Sequence, residues 1–250
     1  MPRHPVGRLH KNVLAIYNMV LEILYPTRCA VCERPGNLLC PDCEARLSLI
    51  DHQQACKHCG APYGRLICTE CVDRSGQRQF AFNESLSVME YDRAARTLIS
   101  VYKDGNERRL APWIAAVMAR SLPLEWHLWA DALCFIPADP AALRRRNFDH
   151  LQLIAGELAQ IIGLPVLDLL QKNVVLDQRA LTRRQRALNS SEMFVAKMDT
   201  QEAAEKLRSY PHLLLLDDVF TTGATLNAAA ETLLSIGVKQ LRALTLARVW

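Results

Sequence analysis

The 250-residue chain lacks several patterns that would have identified its chemistry directly. None of its ten glycines precedes a lysine, so the Gly-x-x-x-x-Gly-Lys-Ser/Thr loop of the P-loop NTPases is absent. Aromatic residues make up only 6% of the chain, and they are not interleaved with basic residues as a stacking platform for single strands would require. The net charge of +4 is too small to demand a nucleic-acid partner. These absences argue against a P-loop NTPase and against a dedicated base-stacking protein.

The sequence also has no apolar run long enough to cross a bilayer. The best candidate, residues 13–26, is interrupted by Asn18 and Glu22 and is shorter than the about 20 residues that a spanning helix needs. No small-residue cleavage site follows it, so we do not interpret it as a secretory signal. Its apolar spacing predicts an amphipathic helix over residues 1–26 that docks on the protein itself, with contact to a membrane surface as the alternative. We therefore expect a cytoplasmic protein.

Cysteine is abundant, and its spacing is informative. Eight of the nine cysteines form Cys-x-x-Cys pairs: Cys29, Cys32, Cys40, Cys43, Cys56, Cys59, Cys68 and Cys71. Two such pairs complete a four-thiolate shell, so the spacing predicts two structural zinc ions, grouped either sequentially or in a crossed arrangement. A disulfide framework would require an oxidising compartment, for which the chain carries no export signal. The ninth cysteine, Cys134, lies in an apolar run and is predicted to be a buried small hydrophobe.

The segment with the clearest chemistry lies near the C-terminus. Four consecutive leucines, Leu213 to Leu216, predict a strand buried on both faces, and the carboxyl end of such a strand is where open α/β sheets bind ligands. The residues that follow are two acids and then a hydroxyl-rich turn around a glycine: Asp217, Asp218, Val219, Phe220, Thr221, Thr222, Gly223, Ala224 and Thr225. Helical spacing continues over residues 226–234 and stops at Gly237. A loop that opens a helix in this way can hold a phosphate.

Two acids beside a phosphate site need partners that donate hydrogen bonds. Ionised Asp217 and Asp218 would accept from the 2- and 3-hydroxyls of a sugar whose 5-phosphate lies in the threonine loop. Two other interpretations are the acid pocket of a receiver-like domain and a purely structural strand and turn.

Leu213 to Thr225 resembles the phosphoribosyl diphosphate (PRPP) motif of type I phosphoribosyltransferases, in the version found in ComF and GntX-like proteins. The resemblance implies an α/β fold with a doubly wound, mainly parallel sheet, preceded by a small double zinc-ribbon domain. It also implies that Asp217 and Asp218 hold the ribose, that residues 221–225 hold the 5-phosphate, and that magnesium accompanies PRPP. The corresponding domains are residues 1–26 for the helix, 27–79 for the double zinc ribbon and 80–250 for the phosphoribosyltransferase-like domain, with a boundary near residues 74–79.

Further segments match the same family. A predicted inner strand over Ala132 to Ile136 ends at Pro137 to Pro140 and is followed by one predicted helix. Pro137 to His150 resembles the family's proline loop and its Arg-Arg-Gly-Phe-Asn-Gln element. Arg145, Arg146 and Phe148 match that element, whereas Asn147, Asp149 and His150 depart from it. The resemblance implies that Arg144, Arg145 or Arg146 neutralises a diphosphate, and that Lys103 belongs to the ligand site.

Residues 178–194 match a second family element, in which a mobile loop closes over the substrate. The matching residues are Gln178, Leu181, Arg186, Asn189 and Phe194, and Arg186 is the catalytic candidate there. Met193 replaces an alanine, and Lys172 and Asp177 also differ from the usual residues.

The resemblance implies a protein that binds PRPP and magnesium and acts in DNA uptake or utilisation, with single-stranded DNA and DNA-uptake proteins as partners. The alternative is an active phosphoribosyltransferase that transfers to a nitrogenous acceptor. A scaffold with a vestigial pocket is a third interpretation.

Overall fold

The computed structural model describes residues 22, 26–65, 68, 80–173, 193–198 and 200–250, and it divides into two compact units. The first unit ends at Arg46 and the second begins at Leu47. In the first unit, a bridge between Arg28 and Pro35 and a short helix α1 (Pro41–Glu44) surround the first cysteines. The predicted N-terminal helix, the boundary at residues 74–79 and the loop with Arg186 lie outside the described residues.

The second unit is built on a parallel sheet. Its four strands are β1 (Glu84–Glu90), β2 (Ala132–Phe135), β5 (His212–Phe220) and β6 (Gln240–Arg248), arranged in the order β1, β6, β5, β2. All three pairings are parallel. Two short strands, β3 (Leu170–Lys172) and β4 (Phe194–Ala196), form a separate antiparallel pair. The predicted α/β class with a mainly parallel sheet is therefore confirmed.

Helices cover this sheet. They are α2 (Arg93–Lys103), α3 (Ala111–Ser121), α4 (Leu124–Trp129), α5 (Pro140–Arg146), α6 (His150–Ile162), α7 (Thr200–Leu207) and α8 (Ala224–Ser235). Leu213 to Leu216 are completely buried. Because successive strand residues point to opposite faces, this burial means that both faces of β5 are covered. Among the helices of the described residues, none has both the length and the apolar character to cross a membrane.

The segment after β2 differs from the predicted single helix. Helix α5 ends at Asn147, which takes the left-handed conformation with φ of 58°, and α6 begins after Asp149. The Asp149 carboxylate accepts from the amides of Leu151 and Gln152 and so caps α6. The break positions His150 in the first turn of α6.

Both outer edges of the sheet are hydrogen-bonded to neighbouring segments. Beside β1, the Ile50 amide donates to the Val88 carbonyl at 3.0 Å, and the Ser85 amide donates to the Lys57 carbonyl at 2.8 Å. Beside β2, the Leu133 amide donates to the Pro165 carbonyl at 2.8 Å. These bonds satisfy backbone N–H and C=O groups at the sheet edges, which could otherwise pair with a strand of another chain. They also place the segment containing Cys56 and Cys59 in the same compact unit as the sheet.

Candidate functional site

The predicted acid pair lies near the carboxyl end of β5, the second strand from the β2 edge. The Asp218 carboxylate accepts hydrogen bonds from Nζ of Lys103 and, at 2.8 Å, from Nε2 of His150. The Asp218 amide donates to Oδ1 of Asp217 at 2.8 Å. Asp217 is 8% exposed, and the Asp218 side chain is 14% exposed. The two carboxylates therefore sit in a nearly closed environment with one lysine and one histidine.

This environment separates the pKa values of the two acids. Burial and the neighbouring charge of Asp218 raise the pKa of Asp217 to about 8. Burial also opposes ionisation of Asp218, but the hydrogen bond from His150 and the charge of Lys103 together lower the pKa of Asp218 below its ordinary value. In the free protein this environment disfavours ionisation of Asp217 and favours ionisation of Asp218. The sequence had predicted two ionised carboxylates.

His150 is the principal site residue that sequence reasoning missed. It entered the sequence comparison only as a departure from the family element. In the structure it is 5% exposed, its carbonyl accepts from the Tyr102 hydroxyl at 2.7 Å, and its Nδ1 has no partner among the described residues. The helix cap at Asp149 was the available signal, because a cap fixes which side chains of the first helical turn face the sheet.

The hydroxyl-rich loop joins β5 to α8. Thr221, Thr222 and Ala224 are exposed, and the Ala224 amide makes only a long hydrogen bond of 3.4 Å to Oγ1 of Thr222. Gly223 caps α8 in the left-handed conformation, with φ of 79°. The helix begins at Ala224, so its N-terminus and the threonine hydroxyls open toward solvent together. This is the arrangement that binds anions at helix N-termini.

A cluster of aromatic rings packs against Gly223 in this loop. Phe80 and Phe82 stack with ring centroids 4.9 Å apart, and Phe80 meets the Phe220 ring edge-on at 5.7 Å. A Cβ at Gly223 would lie 2.7 Å from Cε1 of Phe80 and 2.8 Å from Cζ of Phe220. The loop therefore requires glycine at this position for both its conformation and its packing.

Arg248 connects this loop to the second cysteine segment. Its side chain is buried, with Nε donating to the Cys59 carbonyl at 3.0 Å and Nη1 donating to the Thr221 carbonyl at 2.9 Å. The guanidinium also lies over the Phe220 ring, 4.5 Å from its centroid. One cation thus holds the first residue of the loop and the backbone of a predicted zinc ligand.

A cavity of about 280 Å³ lies beside the loop that follows β2. Among the residues that line it are Pro137, Ala138, Lys172 and Lys197. The predicted proline loop and these lysines therefore line one cavity, and the charge of Lys172 also acts to lower the pKa of Asp217.

The predicted basic residues are distributed unequally around this region. Lys103 contacts Asp218 directly. Arg146 pairs with Asp104 at 2.9 Å, next to Lys103 in sequence, whereas Arg145 is exposed on α5. Thr225 lies in the first turn of α8. Arg186 is outside the described residues.

The cysteines group in sequential order. The sulfurs of Cys29, Cys32, Cys40 and Cys43 all lie within 4.8 Å of one another. Those of Cys56, Cys59 and Cys68 form a second group with the same spacing, and Cys71 lies outside the described residues. Thiolates at these separations fit tetrahedral structural zinc. Cys134 is completely buried, as predicted, and its burial raises the pKa of its thiol to about 12.

Comparison with known proteins agrees with this organisation. Residues 20–74 match the family model described as a double zinc ribbon domain. The chain is 26% identical to Competence protein F of Haemophilus influenzae, over 88% of this chain and 96% of that protein. It is 24% identical to Competence protein ComFC of Streptococcus pneumoniae, over 97% of both chains. It is 25% identical to DNA utilization protein YhgH of Salmonella typhi, over 89% of this chain and 97% of that protein.

The match to the double zinc ribbon and the two cysteine groups support bound zinc in this chain. The parallel sheet with its helices is consistent with a phosphoribosyltransferase-like fold. The similarity extends over most of the chain, and together with the double zinc ribbon it supports a ComF-like competence protein.

Proposed function

We propose that this protein binds PRPP with magnesium at the carboxyl end of β5 and acts in DNA uptake or utilisation. The observation that carries the proposal is the continuity of the site: a buried acid pair runs directly into an exposed hydroxyl loop that opens α8. A phosphorylated sugar likewise carries hydroxyls and a phosphate. The order of groups along the chain, acids first and hydroxyls next, therefore matches the hydroxyls and the phosphate of such a sugar.

The phosphate end rests on residues 221–225. Thr221 and Thr222 are exposed and can donate their hydroxyls, and Gly223 supplies the left-handed turn from which α8 starts. The partial positive charge at the N-terminus of the 12-residue helix α8 adds favourable electrostatics. None of these groups carries a full charge, so the binding depends on the directed hydrogen bonds of the loop.

The sugar end rests on Asp217 and Asp218. A ribose hydroxyl that donates to Asp217 would stabilise its ionised form, and Asp218 would exchange part of its contact with Lys103 or His150 for a second hydroxyl. Magnesium would supply charge neutralisation between the diphosphate and the ribose oxygens. Oxygen donors such as these carboxylates suit that ion.

We assign the diphosphate to the basic groups beside the cavity that lies next to the loop after β2. Lys172 and Lys197 line it, with Lys197 paired to Asp168, and Arg146, which pairs with Asp104, lies at the end of α5. A guanidinium can bind phosphate oxygens in pairs, whereas an ammonium acts as a point charge. Arg145 and the Arg186 loop are the further candidates for this role.

The biological role follows from the relatives, whose names refer to competence and DNA utilization. Single-stranded DNA and DNA-uptake proteins are the partners that fit such a role. Thiolate zinc sites are stable in a reducing compartment, so we place the protein in the cytoplasm.

The test is ligand-dependent melting of the full chain. PRPP with magnesium should raise the Tm of the wild-type protein, because a ligand that binds only the folded state stabilises it. The Asp217→Asn, Asp218→Asn double variant should lose that rise while retaining its folded circular dichroism spectrum. Asp42→Asn, which removes an exposed partner of Arg34, is the matched control and should keep the rise. No rise in the wild type at saturating PRPP would refute the ligand assignment.

The second candidate function is catalysis of phosphoribosyl transfer. It predicts release of diphosphate when PRPP, magnesium and a panel of nitrogenous bases are supplied together. Release that requires a particular base would identify the acceptor. A rise in Tm without diphosphate release would leave a binding protein.

A further inference from the structure

Two aromatic side chains that are far apart in sequence form an exposed pair. The Tyr63 and Trp250 ring centroids lie 5.8 Å apart with the ring planes inclined at 54°. Tyr63 is 75% exposed and Trp250 is 59% exposed. Aromatic rings are usually the largest apolar contributors to a core, so two adjacent rings left open to solvent indicate a contact surface.

The backbone of Tyr63 adopts a strained conformation. Its φ is 60°, in the left-handed region that bulky residues rarely adopt. The turn that carries it is tied down, because the Gly64 amide donates to the Ala61 carbonyl and the Cys56 amide donates to the same carbonyl at 2.9 Å. Strain that the surrounding structure maintains is characteristic of functional positions.

The two residues that precede Trp250 are hydrogen-bonded to the sheet-containing unit. The amide of Val249 donates to the Phe220 carbonyl at 2.9 Å, and Arg248 holds both Cys59 and Thr221 through its buried guanidinium. The aromatic pair is therefore anchored to the same backbone that carries the hydroxyl loop.

We infer that Tyr63 and Trp250 form a stacking surface for a base of single-stranded DNA. Every base presents a π-face, so stacking on exposed aromatic rings is the chemistry by which proteins bind single strands without reading their sequence. The exposed Arg65, two residues from Tyr63, favours a polyanion over a neutral partner. The choice of DNA as the source of the base rests on the proposed function.

The experiment measures fluorescence anisotropy of labelled oligo-dT and of an abasic oligodeoxyribose-phosphate of equal length, at low salt, with the full zinc-loaded chain. Trp250→Ala and Tyr63→Ala should each weaken oligo-dT binding, by about 5-fold to 150-fold for the loss of one stacked base, and leave abasic binding nearly unchanged. Trp250→Phe should restore most of the affinity. Leu128→Ala removes a side chain that is 78% exposed on α4, and this matched control should change neither affinity.

Three results would overturn the inference. The first is wild-type affinity for oligo-dT in the Tyr63→Ala, Trp250→Ala double variant, which would also be the outcome if the rings contact a protein. The second is an equal loss for oligo-dT and the abasic strand, which would mean that no base is stacked. The third is that free dTMP displaces labelled oligo-dT as well as unlabelled oligo-dT does at the same nucleotide concentration. That result would assign the surface to free nucleotides.

Failure here can be separated from failure of the PRPP assignment. Trp250→Ala should keep the rise in Tm with PRPP and magnesium, because its ring lies outside the acid pair and the hydroxyl loop. The Asp217→Asn, Asp218→Asn variant should lose that rise and still bind oligo-dT. Each assay therefore reports on one site.

Discussion

His150 donates from Nε2 to a carboxylate oxygen of Asp218 at 2.8 Å, across a sheet-to-helix contact that no sequence periodicity reports. With Lys103 on the same oxygen, the pair keeps Asp218 ionised inside a region where burial alone would protonate it. The site is thereby organised before any ligand arrives, because its charge is already balanced.

Replacing His150 should therefore cost stability. His150→Ala leaves Asp218 with one cation instead of two donors, and we expect the free energy of unfolding to fall by about 1–3 kcal/mol. His150→Gln restores a donor and should recover part of that loss. Urea denaturation monitored by circular dichroism gives the values.

The control for this prediction is His212→Ala. His212 also faces an aspartate, Asp131, at 3.1 Å, but that pair is about one-third exposed, so its loss should be smaller. Equal losses for the two histidine variants would argue against a special role for the buried pair.

The raised pKa of Asp217 predicts a specific pH dependence. The folded state keeps a proton on Asp217 up to pH about 8, whereas the unfolded chain releases it near the ordinary value of 3.8. The folded state thus binds the extra proton between these values, so the stabilising contribution is complete below pH 3.8 and is lost as pH rises toward 8. Asp217→Asn should remove this part of the slope.

The measurement is the free energy of unfolding at several pH values, taken as the difference between wild type and variant. Asp42→Asn, an exposed carboxylate, should leave the slope as in the wild type. Parallel curves for wild type and Asp217→Asn would show that Asp217 titrates normally in the folded protein.

The hydroxyl loop should not tolerate a side chain at Gly223. Gly223→Ala places a Cβ against Phe80 and Phe220 and forces alanine into a left-handed φ, so we expect a loss of about 1–3 kcal/mol in stability. Gly156→Ala is the matched comparison, because this helical glycine has nothing within 4 Å of the added Cβ. That change should stabilise the protein by about 0.5–1 kcal/mol through helix propensity. Similar losses for both variants in thermal denaturation would contradict this account.

Zinc content should follow the two cysteine groups independently. Elemental analysis should find about two zinc ions in the wild type, one in Cys43→Ser and one in Cys59→Ser, because each variant removes a ligand from a different group. Cys59→Ser should also lower the Tm of the sheet-containing unit, because loss of its zinc would loosen the segment whose Cys59 carbonyl accepts from Arg248. Cys134→Ser is the control and should keep both ions. Loss of both ions from either single-group variant would mean that the sites are not independent.

Much of the fold was predictable because its signals are local. Four consecutive leucines are sufficient to indicate a buried strand, and Cys-x-x-Cys spacing is sufficient to indicate thiolate pairs. The helix after Gly223 and its stop at Gly237 followed from the same kind of pattern. The break at Asn147 did not, because apolar spacing continues through it while Asp149 starts a new helix.

The sequence by itself determined the order of chemical groups along β5, from apolar strand to acid pair to hydroxyl loop, and the supply of eight paired thiols. Only the tertiary structure decided that His150 and Lys103 share Asp218, that the pKa of Asp217 is raised, that the described cysteines group sequentially, and that Tyr63 meets Trp250. The physical reason is that a motif is read from neighbours along the chain, whereas burial and charge pairing depend on distances between segments that only the folded core brings together.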